Sequence, residues 1–239
     1  MINKINKLQQ YINESNNIVI FTGAGISTES GIKDFRSKDG LYNQKYDYPP
    51  EIILSHTFFI NNTKEFYKFY IDKMDCRTAK PNIAHKYFYK LEKENKLKMI
   101  ITQNIDNLHT LAGNKKVIEL HGSICRNYCM KCNKLYDENF IFASTNIPTC
   151  KCGGIIKPDV VLYEEPLDEK NIINTIKTME TADLLIIAGT SLSVYPASSF
   201  IHYFKGKHLV IINNDITPLD NQADLVINNK LGNVFSKLK

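Results

Sequence analysis

Apolar residues along this 239-residue chain follow two periods. Short β-branched runs recur: NIVIF at 17–21, KMIIT at 98–102, KVIEL at 116–120, DVVLY at 159–163, DLLIIAG at 183–189, HLVIIN at 208–213 and DLVIN at 224–228. Most are continuously apolar and not alternating, which predicts strands covered on both faces. Between several of them lie stretches with helical spacing, such as HKYFYKLEKEN and LDEKNIINTIKTME. At the start, Ile2, Ile5, Leu8 and Ile12 fall on one face of an amphipathic first helix. Strands alternating with helices predict an α/β fold on a doubly wound parallel sheet.

Two regions break this rhythm. Residues 37–80 are helical in pattern and poor in strand signals, as in NNTKEFYKFYIDKM, and residues 122–157 are short, turn-rich and hold five of the six cysteines. Both read as inserts on the α/β core, and the length suits one large domain carrying such inserts. The composition, 43% hydrophobic and 23% charged, is that of an ordinary soluble globular protein. The net charge of +5 has no dense Lys/Arg block behind it, which speaks against a dedicated nucleic-acid binder. No apolar segment is long enough to span a bilayer, so no membrane partner is expected. The first residues, MINKINKLQQYINESNN, lack the apolar core of a secretory signal. A cytoplasmic protein with reduced thiols is therefore expected.

The cysteines then call for another explanation than disulfides. Cys129, Cys132, Cys150 and Cys152 form C-x2-C, a gap of 17 residues, and C-x-C. Two close thiolate pairs on tight turns can meet as a tetrahedral four-sulfur cage, the geometry of structural zinc. Sulfur would fill every position, so the metal would staple the insert and leave no place for a catalytic water. The competing reading is a set of reduced, unligated thiols. Cys76 and Cys125 are left over and read as free thiols.

The first strand is followed by FTGAGISTESGIKDFR, with glycines at 23, 25 and 31. A glycine turn opening a helix near Ser27 or Thr28 offers backbone N–H groups to a pyrophosphate. The third glycine of the dinucleotide fingerprint is missing, so by itself the turn fits a tight strand-to-helix connection as well. Two later segments favour a ligand. ITQNIDNLH places Gln103, Asn104 and Asp106 past the carboxyl end of one strand, and VIELHGS does the same for His121. Open α/β sheets bind ligands at that end. The amides and carboxylate suit ribose hydroxyls and a carboxamide, and His121 is placed to take a proton from a sugar hydroxyl.

Together these residues resemble the sirtuins, the NAD-dependent protein-lysine deacylases. The matching segments are GAGISTESGIKDFR, TQNIDNLH, ELHG, the paired cysteines, KPDVVLYEE and GTSLSV, in the family's order and spanning Gly23 to about Asn213. The resemblance implies a Rossmann-like core at about 1–36, 81–121 and 158–239. A helical insert with the cofactor loop would lie at about 37–80, and a small zinc-binding module at about 122–157. It implies NAD as co-substrate and one structural zinc.

Residue by residue, the resemblance assigns Ala24 and Thr28 to the NAD pyrophosphate. Phe35 would shield the ribose C1′ and Arg36 orient the cofactor. Gln103, Asn104, Ile105 and Asp106 would line the nicotinamide and its ribose, with Asn104 and His121 counted as catalytic. Gly189, Thr190 and Ser191 would sit beside the phosphates and adenosine ribose, Asn213 on that ribose, and Leu231 near adenine. The implied reaction begins with attack of the acyl oxygen of a modified lysine on C1′, releasing nicotinamide and leaving an alkylimidate. With His121 as general base on the ribose hydroxyls, it ends in free lysine and O-acetyl-ADP-ribose. Acylated-lysine proteins or peptides are the implied partners, and nicotinamide is both product and expected inhibitor. The peptide would pair as an added strand between Val161, Leu162 and Tyr163 on one side and Val194 on the other.

Family members that favour succinyl or malonyl lysine carry a Tyr and, three residues on, an Arg in the helical insert. Here Tyr67 is followed by Tyr70 in the Arg position, so acidic acyl groups are expected to be poor substrates. Glu164 stands where many members have Gly and is either solvated or a lure for basic flanking residues. His85 and His109 read as packed structural histidines. Mono-ADP-ribosyl transfer or NAD hydrolysis on the same scaffold is the alternative activity, and a non-catalytic NAD-sensing module a third reading.

Overall fold

The computed structural model describes residues 1–34, 40 and 48–239. An amphipathic helix α1 (Ile2–Glu14) leads into β1 (Ile18–Thr22), whose five residues are all buried. Three short helices follow, α2 (Pro50–Ile53), α3 (His56–Asn61) and α4 (Thr63–Lys73). The chain then runs through α5 (Ile83–Lys93), β2 (Leu97–Thr102), α6 (Leu108–Leu111) and β3 (Val117–Glu119). Next come β4 (Gly122–Cys129), β5 (Leu135–Tyr136), α7 (Glu138–Phe142) and β6 (Ile156–Val160). The last stretch holds α8 (Glu169–Glu180), β7 (Leu184–Ala188), β8 (His208–Asn213), β9 (Leu225–Asn228) and α9 (Leu231–Phe235).

The continuous apolar runs do what their pattern requires. Six of them form one sheet in the order β3-β2-β1-β7-β8-β9, with every pairing parallel. Residues of α1, α5 and α9 cover one face, while those of α8 and a 3-10 segment at Ala197–Tyr203 cover the other. Strand order reverses at β1, so a crevice opens beside its carboxyl end.

The run at 159–163 behaves differently. Its strand is Ile156–Val160, and it joins β4 and β5 in a separate antiparallel sheet of order β5-β4-β6. Helices α3 and α4 pack their aromatic faces against this second sheet, with Phe59, Phe66, Tyr67 and Tyr70 buried among Ile124, Ile141 and Ile156, and α2 adds Ile53. The helix expected from Ser27 or Thr28 is instead two short 3-10 turns, Ala24–Ile26 and Thr28–Ser30. Ser, Thr and Gly dominate the stretch and favour turns, and Gly31 ends it at φ +87°.

Candidate active site

Two turns meet at the reversal of strand order. Gly25 N donates to Gly189 O at 2.8 Å, and a Cβ on Gly25 would lie 2.7 Å from that oxygen. Gly189 itself sits at φ +63°, a left-handed conformation that glycine adopts without cost. The glycines thus let the turns after β1 and β7 stack backbone on backbone.

The polar residues past β2 are tied to this pair of turns. Asn104 Nδ2 donates to Gly23 O at 3.0 Å and to Ser27 Oγ at 3.2 Å, and Gln103 Nε2 reaches Thr190 Oγ1 at 3.2 Å. Asp106 accepts from Ser27 Oγ at 2.6 Å and from Leu108 N at 2.9 Å. Burial pushes the Asp106 carboxyl up, and those two hydrogen bonds pull it partly back. With one bond on each oxygen, Asp106 buttresses the glycine turn as well as facing the cavity.

His121 lies between β3 and β4, where the two sheets join. Its Nδ1 is 2.9 Å from Gln103 O. A carbonyl only accepts, so Nδ1 carries the proton and Nε2 keeps its lone pair. Burial lowers the His121 pKa, and the Gln103 bond restores part of the drop. The ring is therefore neutral near pH 7 and equipped to accept a proton at Nε2.

These groups share one cavity of about 770 Å3. Ala24, Gln103, Asn104, Ile105, Asp106 and His121 line one part of it, and Gly189, Thr190, Ser191 and Asn213 another. Val161, Leu162, Tyr163 and Val194 stand along the same cavity, so the expected cofactor and peptide residues converge. Two expected contacts do not reach its wall. Thr28 turns its hydroxyl onto Gly25 O at 2.9 Å, and Leu231 is buried in the core under the sheet. Phe35 and Arg36 lie outside the described residues.

The segment beyond β6 is anchored at both ends. Val161 N donates to His121 O at 3.0 Å, while Tyr163 N donates to Leu54 O at 3.0 Å and His56 N to Tyr163 O at 2.9 Å. Glu165 gathers His56 Nδ1 at 2.8 Å, Lys157 Nζ at 3.0 Å and Leu162 N at 2.9 Å. Glu164, at φ +75°, accepts from Thr57 N at 2.9 Å at the start of α3. Its carboxylate thus caps a helix, a role absent from both sequence readings. Tyr70 lines the cavity with its hydroxyl buried and without a partner among the described residues, whereas the Tyr67 hydroxyl donates to Ile156 O. Cys76 also lines the cavity, and burial pushes its thiol up to about 12, which makes it a poor nucleophile at neutral pH.

The four cysteines expected to bind metal come together at the far side of the small sheet. Their sulfurs all lie within 4.8 Å of one another, with Cys129 and Cys152 3.4 Å apart and Cys132 and Cys150 3.6 Å apart. Four thiolates around a tetrahedral zinc at about 2.3 Å are separated by about 3.8 Å, so the donor set fits the ion. Lys131 N points at Cys129 Sγ and Tyr136 Oη at Cys150 Sγ, outer hydrogen bonds that suit thiolates.

Sequence reasoning missed Ser27, Glu165 and Arg126. Ser27 holds Asp106 and Asn104 across about 80 positions of chain, and Arg126 bridges Glu119 and Asp159 at 2.7 Å each. The only signal for Ser27 was its place among small hydroxyl residues after the glycines. Pairings across so many residues leave no local pattern.

The comparisons with known proteins agree with this geometry. A profile described as the Sir2 family matches residues 23–196. An NAD-dependent protein deacetylase of Clostridium acetobutylicum is 56% identical over 98% of each chain, and one of Clostridium perfringens is 55% identical over 100% of this chain and 99% of its own. A solved Sir2 enzyme superposes with a TM-score of 0.90 at 40% identity, covering 99% of this chain and 96% of its own. Another, solved with a deacetylated p53 peptide and 3′-O-acetyl-ADP-ribose, also reaches 0.90, at 38% identity over 97% and 96% of the two chains. With a profile match over most of its length and relatives above half identity end to end, the chain belongs to the Sir2 family.

Proposed function

We propose that the protein is an NAD-dependent protein-lysine deacetylase that transfers the acyl group to ADP-ribose, releasing nicotinamide and O-acetyl-ADP-ribose. The observation that carries this reading is the setting of His121. Its Nδ1 proton is committed to Gln103 O, which leaves Nε2 as a base in the cavity shared by the glycine turn and Val161–Tyr163. NAD as co-substrate supplies an electrophilic ribose carbon. The residues of this chain do the rest: Ala24, Ser191 and Asn213 border the phosphate and adenosine end, and Asn104 and Asp106 border the nicotinamide end. His121 takes the proton from a ribose hydroxyl as the acyl carbon is attacked. The peptide lies along Val161, Leu162 and Tyr163, with Val194 opposite.

Phe35 and Arg36 close over the ribose in this reading. The parts of the chain act as one catalytic domain, with the core at about 1–36, 81–121 and 158–239. The inserts at about 37–80 and 122–157 carry the cofactor loop and the zinc. Acidic acyl groups are poor substrates, because Tyr70 takes the place of a cation and Lys73 is paired with Asp72 at 2.8 Å. The setting is the cytoplasm, where four thiolates stay reduced, and nicotinamide inhibits as it accumulates.

Incubation with NAD and an acetyl-lysine peptide tests the reading. Nicotinamide, deacetylated peptide and O-acetyl-ADP-ribose should form in equal amounts. Nicotinamide release without peptide would point to NAD hydrolysis, label transfer to protein would point to ADP-ribosylation, and no turnover with any acyl peptide would sink the proposal.

A further inference from the structure

Beneath the cavity runs a second set of polar groups that the catalytic reading leaves unused. Thr22 ends β1 and Thr102 ends β2, and the two are register partners bonded hydroxyl to hydroxyl at 2.8 Å. Thr102 Oγ1 also accepts the Asn104 N–H at 3.0 Å. His109 stands behind Thr22, its Nε2 3.1 Å from Thr22 Oγ1, and His85 stands behind His109 with ring centroids 4.8 Å apart. All four side chains are buried. His85 Nδ1 accepts the Asn82 N–H at 3.3 Å. The Asn82 side-chain amide donates to Ile26 O at 2.7 Å and to Ser30 Oγ at 3.0 Å, both in the turns after β1. Two buried nitrogens have no partner among the described residues, His85 Nε2 and His109 Nδ1.

Proton placement makes these two orphans complementary. A backbone N–H can only donate, so His85 Nδ1 is bare and its proton sits on Nε2. With the Thr22 hydroxyl donating to Thr102, Thr22 Oγ1 accepts from His109, which puts that proton on Nε2 and leaves Nδ1 bare. The orphans are then one donor and one acceptor on neighbouring rings. The opposite hydroxyl order would place a proton on His109 Nδ1 and bury two unpaired donors side by side, the costly arrangement.

We propose that His85 Nε2–H donates to His109 Nδ1, directly or through one buried water, and that the chain Asn82–His85–His109–Thr22–Thr102 positions Asn104. His85 and His109 are positioning residues, and neither touches a reacting atom. Every bond in the chain runs one way until Thr102, which receives Thr22 from one side and Asn104 N from the other. Asn104 is thereby held through its main chain from below and through its amide on Gly23 and Ser27 from above. Both rings must be neutral for this order, and burial depresses both, His85 to about 4 and His109 well below the ordinary imidazole value.

The consequence for Asn104 rests on the deacetylase reading, but the hydrogen-bond order does not, so the experiment has two arms. The first is two-bond 1H–15N correlation NMR on the full-length, metal-loaded protein labelled at histidine, with His85→Gln and His109→Gln assigning the signals. At neutral pH both residues should be neutral Nε2–H tautomers with slowly exchanging protons. An Nδ1–H tautomer at His109, or a charged ring at either position, overturns the proposal. The second arm is steady-state kinetics. His109→Phe should lower kcat/KM for NAD by about tenfold, the loss expected for one buried hydrogen bond, with KM for the peptide unchanged. His109→Gln, whose amide can still donate to Thr22, should recover most of that loss. Unchanged NAD kinetics in a folded His109→Phe protein refutes the positioning role. Should that variant fail to fold, the tautomers of the native protein still decide. An inactive native protein would defeat the deacetylase reading alone.

Discussion

The two sheets meet at His121 and are held together by different means. In the parallel sheet, every residue of β1 and β7 is buried, and apolar clusters on both faces do the holding. The antiparallel sheet is three strands wide, one of them two residues long, and it leaves Tyr128, Met130 and Leu135 exposed. Where the first sheet has aliphatic side chains, the second has four sulfurs, with Cys129 and Cys150 themselves part of its core. Helices α3 and α4 give this short sheet its apolar cover, and the four cysteines offer a metal cross-link in addition. The active site stands on the seam, so it depends on both kinds of cohesion at once.

Removing the metal ligand is the most drastic way to break that arrangement. Cys129→Ser should lower the bound zinc from about one per chain to near zero and unfold the small sheet. Activity should fall by at least about 10–100-fold, the loss typical when even an outer partner of a metal site is removed. The reason is local: β4 begins immediately after His121, and β6 leads directly into Val161. Metal analysis, circular dichroism and the deacetylation assay check this together. A metal-free protein with full activity would mean that the small sheet stands on its own apolar contacts.

A change confined to the seam comes next. His121→Ala should lower kcat by about 10²–10⁴-fold, the usual contribution of a general base, with zinc content and melting temperature unchanged. The pH profile adds a sign. Only the neutral ring accepts a proton, and burial lowers its pKa from the ordinary 6.5. The acid limb of kcat/KM should therefore fall below pH 6.5, and it should be absent from the residual activity of the variant. An unshifted limb in His121→Ala would assign the titration to another group.

The contrast between the sheets also decides what could be read from sequence. The parallel sheet was legible because its strands are continuous apolar runs, and chain order dictated where their carboxyl ends would gather Gln103, Asn104 and His121. The cysteine spacing marked 122–157 as a metal-stapled insert but not as a sheet. What stayed hidden were long-range polar ties: Ser27 to Asp106, Glu165 to His56, Arg126 to Glu119 and Asp159. Periodicity reports which face is buried and says nothing of which polar atoms pair across it. The run at 159–163 misled for a related reason. Lys157, Pro158 and Asp159 alternate into a half-exposed antiparallel strand, and the apolar residues that follow line the cavity.

Acid should separate the halves by a different route. His85 is buried under the parallel sheet with a pKa lowered by burial from 6.5 to about 4. As pH falls, the unfolded chain binds the proton first, so stability is complete above pH 6.5 and declines from there to about pH 4. Over that interval the loss amounts to about 3 kcal/mol. Denaturant melts at a series of pH values should show this slope together with one of the same sign from buried His109, so His85→Gln should reduce it and leave the His109 part. A slope that is undiminished in His85→Gln and tracks zinc release would place the acid sensitivity in the small sheet instead.

The gentlest test acts on the link between the sheets. Arg126 on β4 reaches Glu119 on β3 and Asp159 on β6, each at 2.7 Å, so one guanidinium ties the strand before His121 to the strand before the cavity-lining Val161–Tyr163. Arg126 and Asp159 are 40% and 41% exposed, whereas Glu119 is only 15% exposed. Solvent screens the Asp159 pair, and the loss falls mainly on Glu119. Arg126→Met should cost about 1 kcal/mol, or about 2–4 °C in melting temperature for a chain of this size. If the tie aligns the two strands, KM for the peptide should rise by up to about fivefold while KM for NAD stays put, because an alignment error of this energy falls on the peptide side alone. A lowered melting temperature with unchanged peptide KM would leave Arg126 a brace between the sheets, and no change in either would mean that packing along β4 and β6 already fixes their relation.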